Sequence, residues 1–128
     1  AARIAGGSGE RLRLGNLDVV RDWGWAPDYV DAMWRMLQVE QPDDFVIATG
    51  QSHSLAEFAS AAFAAAGLDW RDHVEVDPAL LRAADLMWSA GRPDKALERL
   101  GWRAAMDFAG VAQAMTAAEV ASHSSTLI

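Results

Sequence analysis

The clearest periodic run of apolar positions is Val30, Met33, Trp34 and Leu37, spaced i, i+3, i+4, i+7. That spacing predicts a helix opened by Pro27, with Asp28 in its first turn and the four large side chains forming one buried stripe. Upstream, Leu12, Leu14 and Leu17 alternate with polar residues and are punctuated by Gly15-Asn16, which predicts a short strand and a turn. Val19 to Gly24 reads as extended chain. Beyond the turn Gln41-Pro42-Asp43-Asp44, the run Phe45-Val46-Ile47-Ala48 has the length of a strand and is expected to be buried on both faces rather than alternating.

Ser54-Leu55-Ala56-Glu57 has the spacing of a reciprocal cap, in which hydroxyl and carboxylate each bind an orphan backbone N–H. A helix is predicted from there, carrying Leu55, Phe58, Ala62 and Phe63 on one side and ending at Gly67. Val74-Glu75-Val76 predicts a strand stopped by Asp77-Pro78. Pro93 to Leu100, closed by Gly101, predicts another helix. The last should start at Asp107, run through Phe108, Val111, Ala112 and Met115, and fray by His123, leaving Ser122 to Ile128 as a loose tail. Ala1 to Glu10 reads as the end of a helix rather than a signal peptide. The sum is an α/β chain of short strands alternating with helices, without internal repeat, organised as one portion over residues 1–121 and a tail over 122–128.

Composition narrows the chemistry. The chain has 128 residues and no cysteine, so disulfides, thiolate nucleophiles and cysteine-based zinc sites are excluded, and a cytoplasmic location is expected. A net charge of −7 argues against a nucleic-acid partner, and no apolar run approaches the roughly 20 residues of a membrane span. A few local arginines can still bind a small phosphate ligand. Six tryptophans are expected to pack mainly in a core. Gly6-Gly7-Ser8-Gly9 precedes a strand, the wrong context for a dinucleotide cradle, which needs a strand, a glycine turn and then a helix. His53 is expected at a turn, and His73 and His123 in solvent; none forms a metal set. Asp43-Asp44 reads as a solvated turn.

The ordered run Leu14-Gly15-Asn16-Leu17-Asp18-Val19-Val20-Arg21-Asp22-Trp23-Gly24, then Asp28-Tyr29-Val30-Asp31-Ala32-Met33-Trp34, resembles the GDP-mannose 4,6-dehydratases. The likeness continues through Pro42 to Gly50, His53-Ser54, Gly67-Leu68-Asp69-Trp70, Val74 to Pro78, Lys95-Ala96 and Leu100-Gly101-Trp102, so that it covers Ala1 to about Glu119. It implies the C-terminal, substrate-holding portion of an extended short-chain dehydrogenase/reductase, with the Rossmann core absent from this chain. In that family a Rossmann domain holds NADP, the smaller portion grips GDP-mannose, and water is removed from the sugar to give GDP-4-keto-6-deoxymannose. The complete enzyme would be a homo-oligomer.

The family's active-site Thr, Glu and Tyr-x-x-x-Lys lie upstream of the matched segment, and Tyr29 is followed four residues on by Met33, so no catalytic residue is assigned here. The resemblance implies diphosphate contacts from Arg21 and Arg82, a ribose-hydroxyl acceptor in Asp85, and Asn16 either supporting the loop or touching the ligand. A guanidinium suits this work because it is planar, permanently charged and rich in donors. The chain departs from the family where Arg82-Ala83-Ala84-Asp85-Leu86-Met87 stands for Arg-Pro-x-Glu-Val-Asp, and where Trp25 and Arg92 stand for a histidine and an aspartate. Two alternatives share these residues: the same portion of a nucleotide-sugar reductase or epimerase, and a stand-alone binding module without catalysis.

Overall fold

The computed structural model describes residues 1–125. In chain order its elements are α1 (Ala2–Ala5), β1 (Leu12–Leu14), β2 (Val20–Asp22), α2 (Ala26–Met36), β3 (Ser52–Ser54), α3 (Leu55–Ala65), β4 (Val74–Val76), α4 (Asp94–Leu100) and α5 (Phe108–Ser125). They fall into two compact units, the first made of Ala1–Val19, Ser54–Met87 and the chain from Ala112, the second of Val20–His53 and Trp88–Val111.

In the first unit β1 and β4 pair in parallel, Leu12 opposite Val74 and Leu14 opposite Val76. The ladder continues at both ends, from Leu12 N–H to the His73 carbonyl and from Asp77 N–H to the Leu14 carbonyl, each at 2.8 Å. α3 follows its sequence closely. Ser54 Oγ accepts the Glu57 N–H at 3.1 Å while Glu57 Oε2 accepts the Ser54 N–H at 2.7 Å. Its far end closes with Leu68 N–H on the Phe63 carbonyl and Gly67 N–H on the Ala64 carbonyl, the paired bonds that satisfy a helix's last acceptors. Ala59 and Phe63 are buried, and His73, expected in solvent, instead lies parallel to the Phe63 ring with centroids 5.7 Å apart. Two single 3-10 turns, at Trp70–Asp72 and Pro78–Leu80, were not legible; each is started by an aspartate, Asp69 or Asp77, whose carboxylate accepts a backbone N–H two residues on.

The second unit packs around Ala32, Ala96 and Trp102, all essentially inaccessible, with Tyr29, Met36, Phe45, Ile47 and Leu100 against them. β2 pairs with β3 and forms a parallel bridge to Trp88 through Val20. β3 is a strand of three polar residues, Ser-His-Ser, with no alternating signal to announce it. α2 forms where the periodicity puts it, but the buried stripe is corrected: Val30, Met33, Trp34 and Leu37 are 60–82% exposed. The face that packs is Tyr29, Ala32 and Met36.

The strand expected at Phe45 to Ala48 is also corrected, since that segment has no regular secondary structure and joins neither ladder. Phe45 and Ile47 turn to the core while Val46 points outward, and the segment is held by its end, where Asp22 accepts the Thr49 and Gly50 N–H groups at 2.9 Å each. Of the tryptophans, Trp102 is buried, whereas Trp34 and Trp88 stand 61% and 65% exposed.

α5 starts after Asp107, whose carboxylate accepts the Gly110 N–H at 2.8 Å. It runs to Ser125, so residues 122–125 of the expected tail are helical; Ala117, Ala118 and Ala121 favour continuation. Residues 126–128 of that tail lie outside the described residues.

Candidate functional site

Arg21 sits at the centre of β2 in the second unit, half-buried, with Nη1 donating to the Val20 carbonyl at 2.8 Å. Its strand is fixed on one side by β3 and on the other by the Val20–Trp88 bridge, where Ser89 N–H reaches the Val20 carbonyl at 3.1 Å. Asp22, the next residue of the strand, accepts the backbone N–H groups of Thr49 and Gly50 on its two carboxylate oxygens. That clamp could have been suspected only from the turn-like Thr49-Gly50, not from any pairing pattern.

Gly24, just beyond, lies so close to the Tyr29 ring that an added Cβ would force the ring to shift. Burial first, and then the Asp22 and Asp28 carboxylates, push the Tyr29 phenol above its ordinary pKa. Asp28 itself accepts the Ala105 and Met106 N–H groups, both at 3.0 Å, and its carbonyl receives Trp102 Nε1 at 2.9 Å.

Asn16, Arg82 and Asp85 belong to the first unit. Asn16 Oδ1 accepts the Asp18 N–H at 2.9 Å, the bond of an aspartate/asparagine turn, and its Nδ2 donates to Met87 Sδ at 3.3 Å. The structure therefore ties Asn16 to the loop that carries Arg82 and Asp85. Gly15 makes a second tie, since a Cβ there would stand 2.7 Å from the Leu80 carbonyl oxygen. Arg82 is exposed and Asp85 half-buried in a stretch without helix or strand. Met87 stands where the resemblance expects an aspartate. Its thioether is a weak acceptor for Asn16, a partnership that no sequence rule would have nominated.

Each unit also has an open groove of about 500 Å³. One is bordered by Ile4, Leu12, Phe58, Met115 and Thr116, the other by Trp25, Pro27, Asp28 and Met106. Neither is lined by Arg21, Arg82, Asp85 or Asn16. Among the described residues no group of three or more His, Asp or Glu side chains could hold a metal ion, and no helix is long and apolar enough to cross a membrane. The glycine run Gly6-Gly7-Ser8-Gly9 follows α1 and precedes β1, helix first and strand second, the reverse of the order a dinucleotide cradle needs.

The family model for GDP-mannose 4,6 dehydratase matches residues 1–115. GDP-mannose 4,6 dehydratase 1 of Arabidopsis thaliana is 47% identical over 106 residues, which is 83% of this chain and 29% of that protein. The chain thus spans under a third of that relative's length. Among solved structures, RMD from Pseudomonas aeruginosa complexed with NADPH superposes with a TM-score of 0.83 at 20% identity, over 94% of this chain and 40% of that one. The dTDP-glucose 4,6-dehydratase of Bacillus anthracis in complex with NAD gives 0.77 at 16%, over 89% and 36%. At such identities the likeness speaks for the fold alone, an α/β arrangement of short strands and helices. The matched sequence and that shared fold together place this chain in the GDP-mannose 4,6-dehydratase family.

Proposed function

We propose that this chain is the GDP-sugar-holding portion of an enzyme that converts GDP-mannose to GDP-4-keto-6-deoxymannose, and that it is inactive alone. The observation that carries the reading is the family match over residues 1–115, a span that includes Asn16, Arg21, Arg82 and Asp85. Arg21 and Arg82 take the diphosphate; Asp85 takes a ribose hydroxyl, with a shorter reach than the glutamate usual there. Asn16 acts through the turn that it closes, which supports the loop bearing Arg82. NADP belongs to a Rossmann portion outside this chain, and when bound it supplies the acceptor and donor of hydride. The complete enzyme is proposed to be a cytoplasmic homo-oligomer.

Calorimetric titration with GDP tests the grip. Arg21→Ala and Arg82→Ala should each weaken binding by roughly 1.5–3 kcal/mol, the value of a charge-assisted hydrogen bond, or about tenfold or more in Kd. Unchanged affinity in both variants would remove the ligand-holding role.

A further inference from the structure

The loop that carries Arg82 and Asp85 closes at both ends on the turn Gly15-Asn16, all within the first unit. At its start, Leu80 rests so close to Gly15 that a Cβ on the glycine would stand 2.7 Å from the Leu80 carbonyl oxygen. Charge and backbone anchor that end. Arg13 pairs with the Asp77 carboxylate, which accepts the Ala79 N–H at 2.9 Å, and Leu80 N–H donates to the Asp77 carbonyl at 3.0 Å. At its finish the tie is softer: Asn16, fixed by its own bond from the Asp18 N–H, donates from Nδ2 to Met87 Sδ at 3.3 Å. Between these ends, Leu81 to Leu86 has no helix or strand to hold it.

A thioether differs from the carboxylate and carbonyl acceptors around it in being readily oxidised. Met87 is 48% exposed, so a dissolved oxidant reaches it. A sulfur lone pair attacks one oxygen of hydrogen peroxide, the O–O bond breaks, and the hydroxyl proton passes to the departing hydroxide, which leaves as water. Sulfur loses two electrons and the peroxide gains them. The new oxygen either stands between sulfur and the Asn16 amide and drives them apart, or points away and draws density from the lone pair that the amide uses. Both epimers lose the 3.3 Å contact, and the polar S–O group favours water over the turn. We infer that Met87 is an oxidation-sensitive latch: a peroxide converts it to the sulfoxide, and the loop bearing Arg82 and Asp85 comes away from the Asn16 turn. The loss of GDP affinity that follows rests on the ligand-holding reading above; the release of the loop does not.

The five methionines supply an internal comparison. Met33 on α2 and Met115 on α5 are 60% and 52% exposed, so peroxide reaches them as readily. After graded peroxide treatment, peptide mass spectrometry would follow the sulfoxide at each methionine, while brief trypsin digestion reads the loop through the Arg82–Ala83 bond. Oxidation at Met87 should speed that cleavage roughly fivefold or more, since cleavage tracks local opening, and leave cleavage after the exposed Arg103 unchanged. A methionine sulfoxide reductase should restore the slow rate.

Met87→Leu has neither acceptor nor oxidisable sulfur and should show the fast rate with or without peroxide, whereas Met33→Leu/Met115→Leu should keep the response. The latch is overturned by slow cleavage of Met87→Leu, by a peroxide response that persists in it, or by an unchanged rate once Met87 is fully oxidised. It is equally overturned if Met87 stays a thioether while Met33 and Met115 oxidise, or if cleavage at Arg103 rises too, as in general unfolding. GDP titration separates the two readings. Where the reduced chain binds GDP, oxidation of Met87 should raise Kd severalfold, and an unmoved Kd would overturn the latch. No GDP binding by the reduced chain, with the cleavage response intact, removes the ligand-holding role alone.

Discussion

α2 and α3 have eleven residues each, and they solve the same problem in opposite ways. α3 satisfies its first turn locally through Ser54 and Glu57, and of the apolar residues that its sequence groups together Phe63 is buried and Leu55, Phe58 and Ala62 are half-buried, with Ala59 buried beside them. α2 has no side-chain cap, and its polar residues reach across the second unit instead: Asp28 to the backbone at 105–106, Arg35 to that at 100–101. The face that it buries holds small or mixed residues, while the large apolar ones face out. Periodicity reports that a helix has an apolar stripe. Which body covers the stripe is a separate fact, and in α2 the stripe and the core-facing side differ.

Two tryptophans give the widest contrast within that unit. Trp102→Ala should cost about 3–5 kcal/mol, since it empties the centre of the cluster and removes the donor to the Asp28 carbonyl. Trp34→Ala should leave urea unfolding of this chain within about 0.5 kcal/mol, as for exposed surface positions. Equal losses would mean that the outward stripe is packed after all.

The polar ends of the two helices differ by less. Asp28→Ala strips a charged acceptor from two backbone N–H groups and should cost about 1.5–3 kcal/mol. Ser54→Ala removes a local cap and should cost about 1 kcal/mol. Urea denaturation of both variants checks the order, and a larger loss at Ser54 would reverse the contrast between clamp and cap.

Legibility followed the range of the interaction that decides each element. β1, β4, α3, α4 and the start of α5 were readable because their signals are local: leucine alternation, a Ser-x-x-Glu cap, a Pro-to-Gly frame, an aspartate before Phe108. β3 was not, because Ser52-His53-Ser54 becomes a strand only by pairing with β2. Phe45 to Ala48 looked like a buried strand because hydropathy does not record whether a ladder partner exists. At the candidate site, the residue types of Arg21, Arg82, Asp85 and Asn16 came from resemblance. The Asn16–Met87 contact and the Asp22 clamp bridge long sequence separations between residues with no pairing rule, and only the folded chain discloses them.

The smallest effects are those of pH, and they also divide by environment. Tyr29 is partly buried with two carboxylates nearby, so its raised pKa means that the folded chain holds the phenol proton more tightly than the unfolded one. Stability is then full below the ordinary tyrosine pKa near 10 and falls as pH rises through the interval up to the folded value. Tyr29→Phe should lose that alkaline slope in urea midpoints measured across the range. Asp43 runs the other way. The hydrogen bond from Lys95 at 2.6 Å, helped by the Asp44 N–H, holds its carboxyl below the usual range, so its contribution is present above the unfolded pKa and disappears as pH falls through the folded one. The pair is exposed and screened by salt, which makes it the weakest of these effects. Lys95→Gln should lower the urea midpoint slightly at neutral pH and converge with the wild type in acid; a gap that widened in acid would show that Lys95 supports something other than Asp43.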